Sequence, residues 1–79
     1  MKAAKQQLIR FNGTKCMLCG KDMKSNITWH HIIPRCQHGE DTYENGALLC
    51  PNCHMLVHNY PYGSEEYERL TQEMLKNKR

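Results

Sequence analysis

The sequence predicts a small α+β domain closed by a metal staple. Its core is a strand, a loop, a second strand and a helix, with a further helix at each end of the chain. Three observations carry this expectation. Two Cys-x-x-Cys knuckles, Cys16/Cys19 and Cys50/Cys53, stand 30 residues apart. Between and just beyond them, β-branched and aromatic runs give way to a proline-initiated helical segment. Finally, a chain of 79 residues is one domain. Chains this short seldom bury enough apolar surface to fold without a metal, a disulfide or a partner.

The elements follow in order. Residues 2–11 read as a helix, with Ala4, Leu8, Ile9 and Phe11 on an apolar side among Lys and Gln. Asn12 and Gly13 end it. Cys16 to Gly20 form a tight knuckle, in which Gly20 lets the backbone turn back around a metal. Residues 27–33, ITWHHII, read as a strand that Pro34 terminates. Residues 35–45 are polar and turn-rich and read as a loop that includes Gln37, His38 and Asp41. Ala47, Leu48 and Leu49 form a short second strand. Pro51 opens a helix in its first turn, where a missing N–H costs nothing. That helix carries Cys53, His54, Val57 and His58, and residues 59–63 break it. Ser64 then caps a last helix over 65–77, with Glu65, Glu66 and Glu68 at its start and Lys76, Lys78 and Arg79 at its end. Tyr67, Leu70, Met74 and Leu75 are expected to face inward.

Charge is uneven along the chain. Residues 1–24 hold six cations (Lys2, Lys5, Arg10, Lys15, Lys21, Lys24) against Asp22, whereas 25–60 hold Arg35 against Glu40, Asp41 and Glu44. A basic N-terminal third is compatible with contact to a phosphate backbone. From charge alone, a solvated helix face is the better reading. No apolar run is long enough to span a bilayer. The N-terminus has no apolar segment of the signal-peptide kind. The expected compartment is the cytoplasm, where paired knuckles of this kind bind zinc rather than each other.

Four thiolates at Cys16, Cys19, Cys50 and Cys53 suit tetrahedral zinc. The second pair enters a helix N-terminus, where the dipole favours negative charge. This is the layout of a treble-clef-like site. A zinc saturated by four sulfurs has no open position for chemistry, so this one is structural. Cys36 is left over and reads as a free thiol.

The stretch from Trp29 to His58 also contains all five histidines of the chain. His54 and His58 are four apart on a helix, so they share a face and can grip one ion. His30 and His31 are neighbours on a strand and point to opposite faces unless the strand breaks there. One can ligate metal beside the helix while the other reaches elsewhere. Asn45 lies between the two groups in sequence, and His38 reads as solvated.

These residues together resemble the HNH endonuclease family and its ββα-metal motif, in the form with two cysteine knuckles. His30, His31, Ile32, Ile33 and Pro34 match the family's first run. Asn45, Gly46, Ala47, Leu48, Leu49 and Cys50 match the second, and Cys53 with His54 the third. The resemblance covers roughly residues 10–60 and places a ββα-metal core at about 27–60 within a single domain over 1–79. It implies His31 as the general base that activates water, and His30 as the first metal ligand. Many members carry Asp at that place. The His-His pair followed by His-x-x-x-His is instead similar to the nuclease domains of colicins, in which three histidines hold the ion. His30, His54 and His58 are the corresponding ligands here, and Asn45 either ligates or pins the loop that aims His31. Three imidazoles suit zinc, nickel or manganese better than magnesium.

The resemblance implies a metal-dependent endonuclease that hydrolyses DNA, double-stranded by expectation, encoded by a bacterium or phage. Lys2, Lys5, Arg10, Lys15 and Arg35 are the candidates for nucleic-acid contact. The chain carries little beyond the core for sequence recognition, which suggests a partner protein or a dimer. A competing reading is a non-catalytic zinc module that binds nucleic acid or protein. His31 and Asn45 speak against it, since pure binding needs neither.

Overall fold

The computed structural model describes residues 2–78, with the side chain of Lys2 outside the described residues. The helix α1 spans Lys2–Asn12, the strand β1 Thr28–His31, the strand β2 Gly46–Leu49, the helix α2 Pro51–His58 and the helix α3 Glu65–Lys76. β1 and β2 pair antiparallel with Thr28 opposite Leu49, Trp29 opposite Leu48, His30 opposite Ala47 and His31 opposite Gly46. The expected strand–loop–strand–helix order and both flanking helices are present.

β2 is buried at every position, with α1 and α2 both packed against it. Leu8, Leu48, Leu49, Val57 and Met74 have no exposed surface. These side chains come from α1, β2, α2 and α3, so one small apolar centre ties all four elements together. Two points differ from the expected apolar faces. Phe11 is 56% exposed, because Ala4 and Leu8, one turn apart, already fill the contact with the sheet. On α3, Leu75 is exposed and Thr71 is buried instead, one turn from Tyr67, whose carbonyl its hydroxyl bonds at 2.9 Å.

β1 is also shorter than the expected 27–33. The N–H of Ile32 bonds the Asn45 carbonyl, but the N–H of Ile33 goes to the Asn45 side chain at 2.8 Å. A side chain thus replaces the partner strand, and pairing stops. The loop 32–45 contains a short 3-10 turn at Arg35–Gln37 and closes on itself through Asn45. α2 and α3 are capped as their sequences require. Cys50 Sγ accepts from the Cys53 N–H at 3.4 Å, and Ser64 Oγ accepts from the Tyr67 N–H at 3.2 Å.

Candidate functional site

The four knuckle cysteines converge. Their sulfurs lie within 4.8 Å of one another, and Cys19 Sγ and Cys50 Sγ are 3.7 Å apart. A disulfide needs about 2.05 Å. Tetrahedral zinc with Zn–S near 2.3 Å sets its sulfurs roughly 3.8 Å apart, so the spacing is that of a metal site. Local backbone builds it. Gly20, at a φ of +81°, closes the first knuckle and sends its N–H to the Cys16 carbonyl at 2.9 Å. Burial pushes the Cys16 thiol up, but N–H groups of Cys19, Cys50 and Leu18 outweigh it and bring the thiol down to about 7. Burial and the neighbouring sulfurs push Cys53 up. Cys36 is a free, exposed thiol outside this group.

A second convergence is made of imidazoles. One ring nitrogen from each of His30, His54 and His58 lies within 4.8 Å of the others. Helical spacing puts His54 and His58 together, with ring centroids 4.7 Å apart. The pleat of β1 turns His30 toward them, at 5.3 Å from His54 and 5.7 Å from His58. His30 is only 2% exposed, and burial, followed by the charges of His54, His58 and His31, lowers its pKa to about 3. It is therefore neutral at physiological pH and keeps a lone pair for a ligand. Its Nδ1 is buried with no hydrogen-bond partner. A buried ring nitrogen without a partner, among three imidazoles, is the feature a metal ion satisfies. The donor set therefore fits a divalent ion.

His31 sits on the opposite face of β1, with Trp29. The indole N–H of Trp29 donates to His31 Nδ1 at 3.2 Å, and His31 Nε2 lies 2.6 Å from Asp41 Oδ1. Since the indole can only donate, the Nε2 proton faces the carboxylate. Arg35 Nη2 bonds the other oxygen of Asp41 at 2.9 Å. The guanidinium and then His31 hold the Asp41 carboxyl down at about 2. His31 is not one of the three clustered imidazoles.

Asn45 is buried and fully used. Its Nδ2 donates to the carbonyls of Ile33 at 3.0 Å and Glu40 at 2.8 Å, and its Oδ1 accepts from the Ile33 N–H. It joins both ends of the loop that carries Arg35 and Asp41. His38 is exposed, at the end of the Arg35–Gln37 turn. Of the basic residues, Arg10 and Lys15 are exposed and Lys5 is half-buried. Lys2 falls outside the described side chains.

Sequence reasoning missed four contributors: Asp41, Trp29, Thr28 and Tyr67. The signal for two of them was present. Strand alternation puts Trp29 on the His31 face and Thr28 on the His30 face. Asp41 and Tyr67 are remote in sequence from the histidines they meet; the helical pattern turns Tyr67 inward but does not give its partner, and no local pattern marks Asp41. Tyr67 lies on α3, and burial pushes its phenol up to about 12.

The comparisons with known proteins agree with this geometry. The chain is 37% identical, over 62 residues and 70% of its length, to the type IV methyl-directed restriction enzyme EcoKMcrA of Escherichia coli (strain K12). It spans 22% of the length of that relative. The family model described as HNH endonuclease matches residues 16–60, which run from the first knuckle cysteine to just past the last clustered histidine. With a cysteine cluster that joins the first knuckle to the start of α2, an imidazole cluster that joins β1 to α2, and a family match over more than half its length, the chain belongs to the HNH endonuclease family.

Proposed function

We propose that residues 1–79 form a single metal-dependent nuclease domain that hydrolyses phosphodiester bonds of double-stranded DNA. The observation that carries this reading is the division of labour on β1. His30 joins a three-imidazole cluster, while the adjacent His31 is backed by a carboxylate and left out of that cluster. A pure binding module has no use for the second arrangement. DNA as the polymer is supported by the likeness to a restriction enzyme. Its methyl-directed activity belongs to that protein.

His30, His54 and His58 would hold the catalytic ion, and Cys16, Cys19, Cys50 and Cys53 a structural zinc. Bound at the imidazoles, a divalent ion supplies Lewis-acid polarisation of the phosphate and stabilises the leaving 3′ oxygen. Imidazole donors favour zinc, nickel or manganese over magnesium. His31 is the general base. The Nε2 proton stays on His31, donated to the Asp41 carboxylate, and Nδ1 accepts the proton of the attacking water, which must first take the place of the Trp29 indole, so that His31 becomes the imidazolium. Asn45 acts through His31, by holding the loop that brings Asp41 to it. Arg35 both steadies Asp41 and, being mostly exposed, can reach a phosphate. Lys2, Lys5, Arg10 and Lys15 supply backbone contact. A dimer or partner protein would provide a second strand cut and sequence recognition. The paired knuckles, read as a zinc site, fit the cytoplasm of a bacterium or phage-infected cell.

Plasmid nicking beside calorimetric metal titration tests this. The chain with nickel, manganese or zinc should nick supercoiled DNA. His31→Ala should keep its metal and lose about 10²–10⁴-fold in rate. His54→Ala and His58→Ala should lose the metal itself. Absence of nicking with every divalent ion would return the chain to the binding-module reading. If His31→Ala loses the ion while His30→Ala keeps it, the two adjacent roles are reversed.

A further inference from the structure

We propose that Tyr67 and Thr28 are positioning residues. Each uses one hydroxyl to lock a metal-facing imidazole in the tautomer that leaves its ligand nitrogen bare. The inference rests on reading His30, His54 and His58 as ligands, and it concerns two residues outside that set.

The proton inventory is determined by the acceptors. Tyr67 Oη lies 2.7 Å from the Ile32 carbonyl, which can only accept. The phenolic proton is therefore committed there. Tyr67 Oη is also 3.3 Å from His30 Nε2. With its own proton spent, the oxygen can only accept, so Nε2 carries the hydrogen. That leaves Nδ1 of His30, the buried atom with no partner, as the lone-pair nitrogen.

The same logic repeats on the next ligand with a different side chain. Thr28 Oγ1 donates to the Leu49 carbonyl at 2.6 Å and lies 3.0 Å from His54 Nδ1. His54 must donate at Nδ1 and is bare at Nε2. Thr28 and His30 are two apart on β1 and share a face, so one strand supplies a ligand and the lock for another ligand. Among the described residues no hydrogen bond holds His58, which is exposed. Two of the three imidazoles are thus preset. Tyr67 also lies beyond the residues that the family model matches, so α3 takes part in the site rather than merely covering it.

The locks are read without any turnover. Long-range 15N–1H NMR on the chain with one equivalent of zinc, enough to fill the cysteine site, should show His30 protonated at Nε2 and His54 at Nδ1. Tyr67→Phe keeps the ring and removes the hydroxyl. It should convert His30 to a mixture of tautomers and weaken calorimetric nickel binding about 10–100-fold. Thr28→Val should do the same to His54, and Thr28→Ser should restore both readings. Unchanged circular dichroism of the zinc-loaded variants separates this from a folding defect. If the tautomers and the nickel affinity of Tyr67→Phe and Thr28→Val match the unsubstituted chain, the inference is overturned. His58→Ala is the control for the underlying reading. If it binds nickel as tightly as the unsubstituted chain, the ligand assignment fails, whatever the tautomers show.

Discussion

At the scale of single residues, the proposed base is aimed by contacts that leave little room. A Cβ at Gly46 would stand 2.1 Å from the Trp29 ring, whose indole N–H bonds His31. Gly46→Ala must therefore push the indole away. The expected cost is about 1–3 kcal/mol, as for overpacking in a core. It should be read as a lowered denaturation midpoint with a red shift in the fluorescence of the one tryptophan. Asn45→Ala removes three hydrogen bonds to the loop backbone at once. Net contributions near 1 kcal/mol each suggest a loss of about 2–3 kcal/mol. Amide exchange in residues 33–44 should quicken, and nicking should slow, while nickel binding stays within a few-fold. A loss of nickel binding would instead make Asn45 a ligand.

At the scale of elements, the strand pleat does the sorting. Alternation along β1 sends Thr28 and His30 toward α2, and Trp29 and His31 toward the loop. A one-residue slip in register would exchange the two sets, so the side-chain pinning of Ile33 by Asn45 protects chemistry as well as pairing. α1 contributes differently. Among the described residues its buried positions are Ala4 and Leu8, while Lys5 is half-buried and Arg10 is exposed, as is Lys15 just beyond the helix. Replacing Lys5, Arg10 and Lys15 by Gln should weaken DNA binding alike at all sequences. It should reduce the slope of log affinity against log salt by about 0.9 for each phosphate that is no longer neutralised. An unchanged slope in salt-titrated binding would make them solvated surface.

At the scale of the whole molecule, the core is small, and in a chain of this length a metal is expected to supplement it. The apolar centre joins residues of α1, β2, α2 and α3, and the first knuckle adds Met17, whose backbone N–H bonds the Leu48 carbonyl at 2.8 Å. A metal held by the four cysteines would join the first knuckle to the start of α2, beside the sheet. Stripping it with a strong chelator should unfold the chain, since in such domains metal binding is folding free energy. Circular dichroism unchanged after complete removal of metal would contradict this. Cys19→Ser, which spoils the site while changing one atom, should lower the melting temperature even with zinc in excess.

What the sequence determined by itself was whatever is local in its physics. Cysteine spacing marked the knuckles. The i, i+4 relation of His54 and His58 placed them on one helix face, and Pro51 and Ser64 marked helix starts within a residue. The adjacency of His30 and His31 was legible only as an alternation, since a strand must send neighbours to opposite faces. Which of the two histidines met the helix was decided by the pairing of β1 with β2 and the approach of α2. The end of β1 was decided by Asn45, twelve residues from Ile33, and the backing of His31 by Asp41, ten residues away. The bond between Tyr67 and His30 spans 37 residues. Contacts at such separations leave no period in the chain, because loop closure and packing, not backbone geometry, bring them together.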